Sequence, residues 1–261
     1  KFGIHIAQAL KDYEWAERRR NVEVVGVDCH IGSQLTDLSP FLDAAGRVRR
    51  LVDRLLSKGM NIRFVDVGGG LGIKYNDELP PHPKEYARAI ANAFRGLDVT
   101  LVLEPGRVLV GNAGALVTEV LYTKKAPSST GRGKRYFFIV DAAMNDLARP
   151  SLYGSYHAIL PVGKSPRGRV TADVVGPICE SGDFLAKDRA LPPYKSGDLL
   201  AVMSAGAYGF SMSSNYNSRP RAAEVMVSGD RCEVVRERET LGDVVGGERT
   251  ASFLKGQPKG K

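Results

Sequence analysis

The chain has 261 residues, of which 43% are hydrophobic and 25% charged, and its formal net charge at pH 7 is +8. This composition is typical of a globular protein with enough apolar side chains for one large domain or two smaller ones. No apolar run approaches the roughly 18 residues that a membrane-spanning helix needs, so no membrane segment is expected.

Strands alternate with helices in the first part of the chain. Apolar spacing predicts helices over residues 4–19, 41–59 and 85–96, and apolar runs of strand length lie at residues 22–27, 61–67 and 99–104. This alternation is typical of βαβ units with a parallel sheet. Because three parallel strands are too few to form a covered sheet, we interpret the chain as the later part of a longer protein.

Short strands replace this pattern after about residue 115. They are predicted at residues 135–140 and 198–203, with a hairpin over residues 223–238. The sequence therefore predicts an α/β domain over residues 1–115 and an antiparallel β-domain over residues 116–250. Residues 251–261 are rich in Lys and Gly, and we expect them to form a disordered basic tail.

The cysteines are few, odd in number and far apart, at Cys29, Cys179 and Cys232. This pattern excludes a disulfide framework and shows no metal-type pairing, so we expect no metal and a cytoplasmic location. Positive charge lies in short clusters at residues 17–20, 131–135 and 255–261. Since aromatic residues do not alternate with these clusters, solvated loops are favoured over a nucleic-acid interface, and an anionic cofactor or acidic substrate would also suit the charge.

Polar residues and glycines follow each of the three parallel strands. The strands lead into DCHIGS (28–33), DVGGG (66–70) and LEPGR (103–107). Because the carboxyl ends of parallel strands meet at one edge, we expect an imidazole, two small-residue loops, a carboxylate and a guanidinium to converge there. Three successive glycines indicate either a tight turn with positive φ or a ligand against bare backbone, and phosphate is the usual ligand.

Six stretches of the sequence resemble, in the same order, the motifs of one enzyme family. They are HIGSQ (30–34), VGGGLGI (67–73), EPGR (104–107), DAAMNDLARPSLYG (141–154), GPICESGD (176–183) and AGAYGFSMSSNYNSRPR (205–221). They are similar to motifs of the alanine-racemase-like, fold-type III pyridoxal-phosphate enzymes, and within them of the diaminopimelate decarboxylases. The resemblance implies the later part of a (β/α)8 TIM-type barrel, which binds pyridoxal 5'-phosphate, followed by a β-domain that completes the active site.

The resemblance also implies how the cofactor is bound. The phosphate is expected on the backbone N–H groups of Gly68, Gly69 and Gly70 at a helix N-terminus, with the Ser33 hydroxyl beside them. The motif at 104–107 adds Pro105, Gly106 and Arg107 to the expected cofactor site. The alternative interpretation of the three glycines is a tight strand–helix turn.

Two side chains are expected to contact the cofactor ring. His30 would stack on the ring face, and Glu104 would face the pyridine nitrogen and keep it protonated, so that the ring accepts electrons. The alternative for Glu104 is a structural salt bridge with Arg107.

Substrate contacts are implied for residues of both domains. Arg107, Arg149 and Tyr153 would bind a substrate carboxylate, since guanidinium groups match carboxylates bidentately. Tyr208 would contact both phosphate and substrate. The remaining histidines (His5, His82 and His157) and Cys232 are interpreted as structural or surface groups.

Cys179 and Glu180 are expected to act across a homodimer with shared active sites. By resemblance, Cys179 is the proton donor after CO2 loss, and Glu180 recognises the distal ammonium of the substrate. The alternative for Cys179 is a small buried hydrophobic residue.

The implied activity is decarboxylation of meso-2,6-diaminopimelate to L-lysine and CO2. A related ornithine, arginine or carboxynorspermidine-type decarboxylase is the nearest alternative, although CESGD (179–183) favours diaminopimelate because ornithine-type relatives have a shorter Cys-Asp sequence there. The family's Schiff-base lysine belongs to an N-terminal region that is not in this sequence. We therefore expect the chain alone to be inactive, and a non-catalytic fragment is a further alternative.

Overall fold

The computed structural model describes residues 2–127, 134–164 and 168–254. The chain divides into two compact units, Lys1–Gly114 and Ala115–Lys261. Each unit has its own apolar core. Most of the basic cluster at residues 131–135, and the tail from residue 255 onward, lie outside the described residues.

The described residues of the first unit form three strands and four α-helices, followed by a 3-10 turn at Gly111–Ala113. In chain order these are α1 (Ile6–Glu17), β1 (Gly26–Asp28), α2 (Ser39–Ser57), β2 (Phe64–Asp66), α3 (Pro83–Ala93), β3 (Thr100–Val102) and α4 (Arg107–Val110). The strands form a sheet in the order β1-β2-β3, and both neighbouring pairs are parallel. The predicted parallel arrangement is therefore present, with strands shorter than the apolar runs that predicted them.

The core of the first unit lies between this sheet and the helices. Helix α2 buries one face, made of Phe41, Ala45, Val48, Leu51, Val52 and Leu55, whose spacing is that of an amphipathic helix. Val65, at the centre of β2, is fully buried in the same core. Helix α3 begins with a capping box in which His82 accepts from the backbone of Lys84, so His82 has the structural role expected from the sequence.

The second unit is built around one six-stranded sheet. The strands of the unit are β4 (Leu116–Pro127), β5 (Lys134–Val140), β6 (Ile159–Pro161), β7 (Val170–Val175), β8 (Phe184–Leu191), β9 (Leu199–Val202), β10 (Glu224–Ser228) and β11 (Arg231–Arg236). The six-stranded sheet has the order β6-β9-β4-β5-β7-β8, and β10 and β11 form a separate antiparallel hairpin. The described part of the unit also contains two short α-helices, α5 (Arg149–Tyr153) and α6 (Leu241–Val245), and 3-10 turns at Phe210–Met212 and Tyr216–Ser218.

The six-stranded sheet corrects one detail of the sequence prediction. Four of its five neighbouring pairs are antiparallel, but β5 and β7 run parallel. A parallel pair needs a crossover connection, and here α5 and β6 lie in the stretch between the two strands. The β-domain is thus mainly antiparallel and not wholly so.

The C-terminal segment also differs in part from its prediction. Residues Ser252–Leu254 form a short 3-10 turn, where the sequence predicted a disordered tail. Within the described residues, no helix combines the length and apolar character that crossing a membrane requires.

Candidate active site

The ends of β1, β2 and β3 are joined by backbone hydrogen bonds. The Cys29 amide donates to the Asp66 carbonyl over 3.0 Å, and the Glu104 amide donates to the Gly68 carbonyl over the same distance. Because the three strands are parallel, the segments that follow them leave the sheet at the same edge. The structure therefore places His30, Gly68–Gly70 (the glycine stretch) and Glu104 together at this edge of the sheet, as predicted. We call this edge the rim.

The glycine stretch has no room for side chains. A Cβ on Gly69 would overlap the Glu104 carbonyl oxygen, and a Cβ on Gly68 would lie 2.7 Å from the Cys29 carbonyl oxygen. Gly68 and Gly70 also have φ values of +70° and +103°, which residues with a Cβ rarely adopt. Close backbone packing explains all three glycines without a ligand. The alternative of a tight strand–helix turn is met only in part, because no helix follows the glycines directly.

The same stretch corrects the predicted phosphate cradle in two respects. No helix starts at Gly70, because the chain continues irregularly until α3 begins at Pro83. Two of the three amides already have acceptors within the chain: Gly68 N–H donates to Asp66 Oδ1 over 2.8 Å, and Gly69 N–H donates to His30 Nδ1 over 3.2 Å. The glycine amides thus shape the rim and orient the imidazole.

His30 and Glu104 present their side chains to solvent at this rim. The imidazole accepts from Gly69 through Nδ1, so Nε2 is the ring atom left to face outward. Glu104 makes no ion pair with any residue that the structure describes, so the expected alternative of a salt bridge with Arg107 is wrong. A carboxylate on an open rim is available to a ligand.

Arg107, the first residue of α4, is held by two hydroxyl groups. One guanidinium nitrogen donates to the Tyr75 hydroxyl over 2.6 Å, and the other donates to Ser33 Oγ over 3.0 Å. The guanidinium also lies 5.7 Å from the centre of the Tyr75 ring. Ser33 and Arg107 are therefore together, and Tyr75, which the sequence analysis missed, fixes the arginine.

Pro105 and Gly106 form the turn between β3 and α4. Pro105 also borders a cavity of about 270 Å³ whose other walls include Gly68, Gly69, Leu103, Tyr86 and Leu109. Its lining is almost entirely apolar and contains none of His30, Ser33 and Arg107. Since a phosphorylated ring needs charged partners, we place the candidate site on the polar rim and not in this cavity.

In the second unit, the loop that carries Cys179 and Glu180 is organised by a buried carboxylate. Asp183 is 5% exposed, and its two oxygens accept from the backbone amides of Met144 and Ile178, each over 2.7 Å. These bonds join the loop to the segment that follows β5. Cys179 itself is exposed and free, so the alternative of a buried hydrophobic cysteine is wrong.

Glu180 is held by a tyrosine that the sequence analysis missed. The Tyr216 hydroxyl donates to Glu180 Oε2 over 3.2 Å, and Glu180 Oε1 accepts from the Gly182 amide over 3.0 Å. The hydrogen bond and the charge of Glu180 raise the pKa of Tyr216, and the charge of Cys179 acts in the same direction. The three side chains thus form one polar cluster.

Helix α5 lies against the same loop. A Cβ on Gly182 would come within 2.8 Å of Ser151 Oγ, which shows how closely the two segments approach. Tyr153, at the end of α5, is 67% exposed, whereas Arg149, at its start, is only 6% exposed. A guanidinium nitrogen of Arg149 lies 3.1 Å from Nε2 of the buried His157.

Tyr208 has an unusual backbone conformation. Its φ is +59°, in the left-handed region that bulky side chains seldom occupy, and its side chain is 40% exposed. Strained backbone of this kind is concentrated at functional sites. The observation favours a functional role over that of an ordinary core tyrosine.

Comparison with known proteins gives the same family as the sequence motifs. Residues 1–111 match the family described as "Pyridoxal-dependent decarboxylase, pyridoxal binding domain". Diaminopimelate decarboxylases of Pseudomonas aeruginosa and Aquifex aeolicus are 55% and 48% identical to this chain, over 95% and 94% of its length. Residues 1–111 thus match the pyridoxal-dependent decarboxylases, and nearly the whole chain is similar to diaminopimelate decarboxylases. The resemblance predicted from the six motifs is confirmed.

A solved structure shows the same similarity. The crystal structure of diaminopimelate decarboxylase from Helicobacter pylori complexed with L-lysine is 44% identical, with a TM-score of 0.84 over 94% of this chain. The chain covers 59% of that structure. It likewise spans 57% and 58% of the length of the Aquifex and Pseudomonas relatives.

The functional residues that the sequence did not indicate share one property. Tyr75, Tyr216 and His157 contact other candidate site residues. Asp183 acts indirectly, by holding the loop that carries Cys179 and Glu180. Tyr75 and Tyr216 lie in or next to the recognised motifs, and that position was the available signal. His157 lies outside every motif, so nothing in the sequence indicated that it contacts Arg149.

Proposed function

We propose that this chain supplies cofactor- and substrate-binding residues to an enzyme that converts meso-2,6-diaminopimelate to L-lysine and CO2. The observation that carries the proposal is the shared rim. On it, His30 contacts Gly69, Glu104 contacts Gly68 and Arg107 contacts Ser33, in a chain 48–55% identical to diaminopimelate decarboxylases. Three parallel strands with their helices support the interpretation as part of a (β/α)8 barrel.

The rim has the donor set that pyridoxal phosphate requires. Arg107 and the Ser33 hydroxyl suit the phosphate, and among the described residues the Gly70 amide keeps no acceptor within the chain. The open Glu104 carboxylate suits a protonated pyridine nitrogen, and the His30 ring, oriented by Gly69, suits a ring face. When bound, the cofactor supplies an electron sink for the bond that releases CO2.

The cofactor roles of Pro105 and Gly106 follow from the turn that they form. This turn sets the direction in which Arg107 leaves β3, so we propose that both residues shape the phosphate site. Tyr208 is proposed to contact phosphate and substrate.

The second unit is proposed to act on the substrate. Arg149 and Tyr153 bind a carboxylate through charge and a hydroxyl group, and Glu180, fixed by Tyr216, binds the distal ammonium. Cys179 delivers a proton to the carbon that has lost CO2. Its free thiol next to Glu180 and Tyr216 supports this role. A homodimer in which Cys179 serves the partner's site is part of the proposal.

The test uses the gene product that contains this chain, purified with pyridoxal phosphate. We expect a visible absorbance band that borohydride abolishes, and CO2 release from meso-2,6-diaminopimelate. Glu104→Gln should retain cofactor yet lose most CO2 release. A protein without the band, or one that binds the cofactor and releases no CO2 from any amino acid, would overturn the proposal.

A substrate panel separates the nearest alternative function. If the gene product releases CO2 faster from ornithine, arginine or carboxynorspermidine than from diaminopimelate, the related activity replaces the proposed one.

The chain of 261 residues is assayed separately, in parallel with the gene product. We propose that the chain alone does not turn over, because the Schiff-base lysine of the family lies outside its motifs.

A further inference from the structure

His157 is a fully buried histidine outside every recognised motif. Its side chain is 0% exposed in the core of the second unit, whereas the sequence suggested only a structural or surface group. Nδ1 lies 2.8 Å from the Met203 carbonyl oxygen, and Nε2 lies 3.1 Å from a guanidinium nitrogen of Arg149. Both ring nitrogens are therefore engaged.

These two partners fix the protonation of the ring. A carbonyl oxygen only accepts hydrogen bonds, so Nδ1 carries the proton that it donates to Met203. A guanidinium only donates, so Nε2 presents its lone pair to Arg149. The contacts thus select the neutral Nδ1–H tautomer.

The backbone around His157 holds the ring in place. The Met203 amide donates to the Ala158 carbonyl over 2.8 Å, which ties the segment to the end of β9. Arg189 donates to the His157 carbonyl over 3.3 Å and stacks on the neighbouring Tyr156 ring at 3.5 Å. An imidazole fixed in this way is a rigid acceptor for Arg149.

We propose that His157 is a positioning residue that orients the Arg149 guanidinium for a substrate carboxylate. A neutral acceptor orients the guanidinium without cancelling its charge, whereas a carboxylate at the same place would neutralise it. This inference rests on the proposed function, in which Arg149 binds substrate.

Two substitutions separate the contacts of the ring. In His157→Asn, the short amide can still donate to Met203 but does not reach Arg149. In His157→Gln, the amide oxygen reaches about the position of Nε2 and can accept from Arg149. His82→Asn is the matched control, because His82 caps α3 by accepting a backbone amide and Asn caps helices well.

The variants are made in the gene product that contains this chain, loaded with pyridoxal phosphate. We expect His157→Asn to raise KM for the substrate roughly tenfold with kcat changed less than about twofold, as for loss of a charged hydrogen bond. His157→Gln should restore most of the affinity, and His82→Asn should match the wild type. An unchanged KM in a folded His157→Asn protein overturns the proposal.

A second measurement does not depend on turnover. With 15N-labelled histidine, long-range 1H–15N spectra of the chain, which has four histidines, should show one ring protonated at Nδ1 and unprotonated at Nε2. The opposite tautomer for His157 overturns the proposal, even if His157→Asn fails to fold. If wild-type protein neither binds nor decarboxylates amino acids, the proposed function fails instead, whatever the tautomer.

Discussion

The Gly69 amide donates to Nδ1 of His30 over 3.2 Å, although 39 positions separate the two residues in the chain. This bond joins the segment after β1 to the segment after β2, and it sets the direction of the imidazole. The packing that permits it has no space for a side chain, because a Cβ on Gly69 would overlap the Glu104 carbonyl oxygen. Backbone packing and the orientation of a candidate cofactor residue thus depend on the same glycine.

Gly69→Ala is therefore expected to disturb the rim. The overlap must be relieved by movement of backbone, so we expect a destabilisation of about 1–3 kcal/mol and a weaker affinity for pyridoxal phosphate. Urea unfolding and cofactor titration of the gene product measure the two effects.

Gly46→Ala provides the matched control for that experiment. Gly46 lies inside α2, and the nearest atom to an added Cβ is a guanidinium nitrogen of Arg50 at 3.7 Å. Alanine at this position should stabilise the helix by about 0.5–1 kcal/mol and leave the cofactor affinity unchanged. Equal effects of the two substitutions would show that the rim does not depend on close packing at Gly69.

Tyr75→Phe tests the assignment of Arg107 to the phosphate. The substitution removes the hydroxyl 2.6 Å from the guanidinium but keeps the ring beside it. We expect roughly tenfold weaker binding of pyridoxal phosphate, as for a lost hydrogen bond to a charged group, and unchanged binding of pyridoxal, which lacks the phosphate.

Fluorescence titration with both compounds measures this difference, and Tyr122→Phe, at an exposed tyrosine of β4, is the control. A parallel loss of affinity for pyridoxal and pyridoxal phosphate would mean that Tyr75 supports the fold and not the phosphate site.

The sequence predicted the site of the first unit because of where polar residues stand relative to strands. His30, the glycine stretch and Glu104 each follow a parallel strand, and parallel strands deliver such segments to one edge. Helix α2 was predicted from its apolar spacing and was located within two residues at each end. The local sequence pattern was therefore sufficient to predict both the site of the first unit and the position of α2.

Contacts between distant segments were not predictable from pattern. Tyr75 precedes Arg107 by 32 positions, and its role follows only from the way the chain returns to the rim. The parallel pairing of β5 with β7 likewise depends on the crossover between them. The strand β4 was missed because its exposed and buried positions alternate irregularly around a bulge.

Tyr216→Phe tests the orientation of Glu180. Without the hydroxyl that donates to Oε2 over 3.2 Å, the carboxylate keeps its contact with the Gly182 amide but gains rotational freedom. We expect KM for diaminopimelate to rise about two- to tenfold with little change in kcat. A substrate that lacks the distal amino group should be insensitive to the substitution. Steady-state kinetics with both compounds measures this difference. An equal rise in KM for the two substrates would contradict the assignment of Glu180 to the distal ammonium.

The hydrogen bonds of Glu239 predict that the second unit becomes less stable to unfolding in acid. Its carboxylate accepts from the Arg221 guanidinium over 2.7 Å and from the Asn215 side chain over 2.6 Å. The hydrogen bonds from Arg221, followed by that from Asn215, lower the pKa of Glu239 to about 2. Because this value lies below that of an unfolded chain, the stabilisation is complete above about pH 4.5 and is lost as the pH falls towards 2.

Glu239→Gln removes the charge and the titration while keeping an acceptor oxygen. We therefore expect the urea midpoint of the variant to lie below that of the wild type at pH 7, and the gap to narrow steadily between pH 4.5 and pH 2. Glu237→Gln is the control, since Glu237 is exposed and makes no ion pair with any described residue. A gap between wild type and Glu239→Gln that is the same at pH 7 and at pH 2.5 would show that the ionised carboxylate does not stabilise this unit.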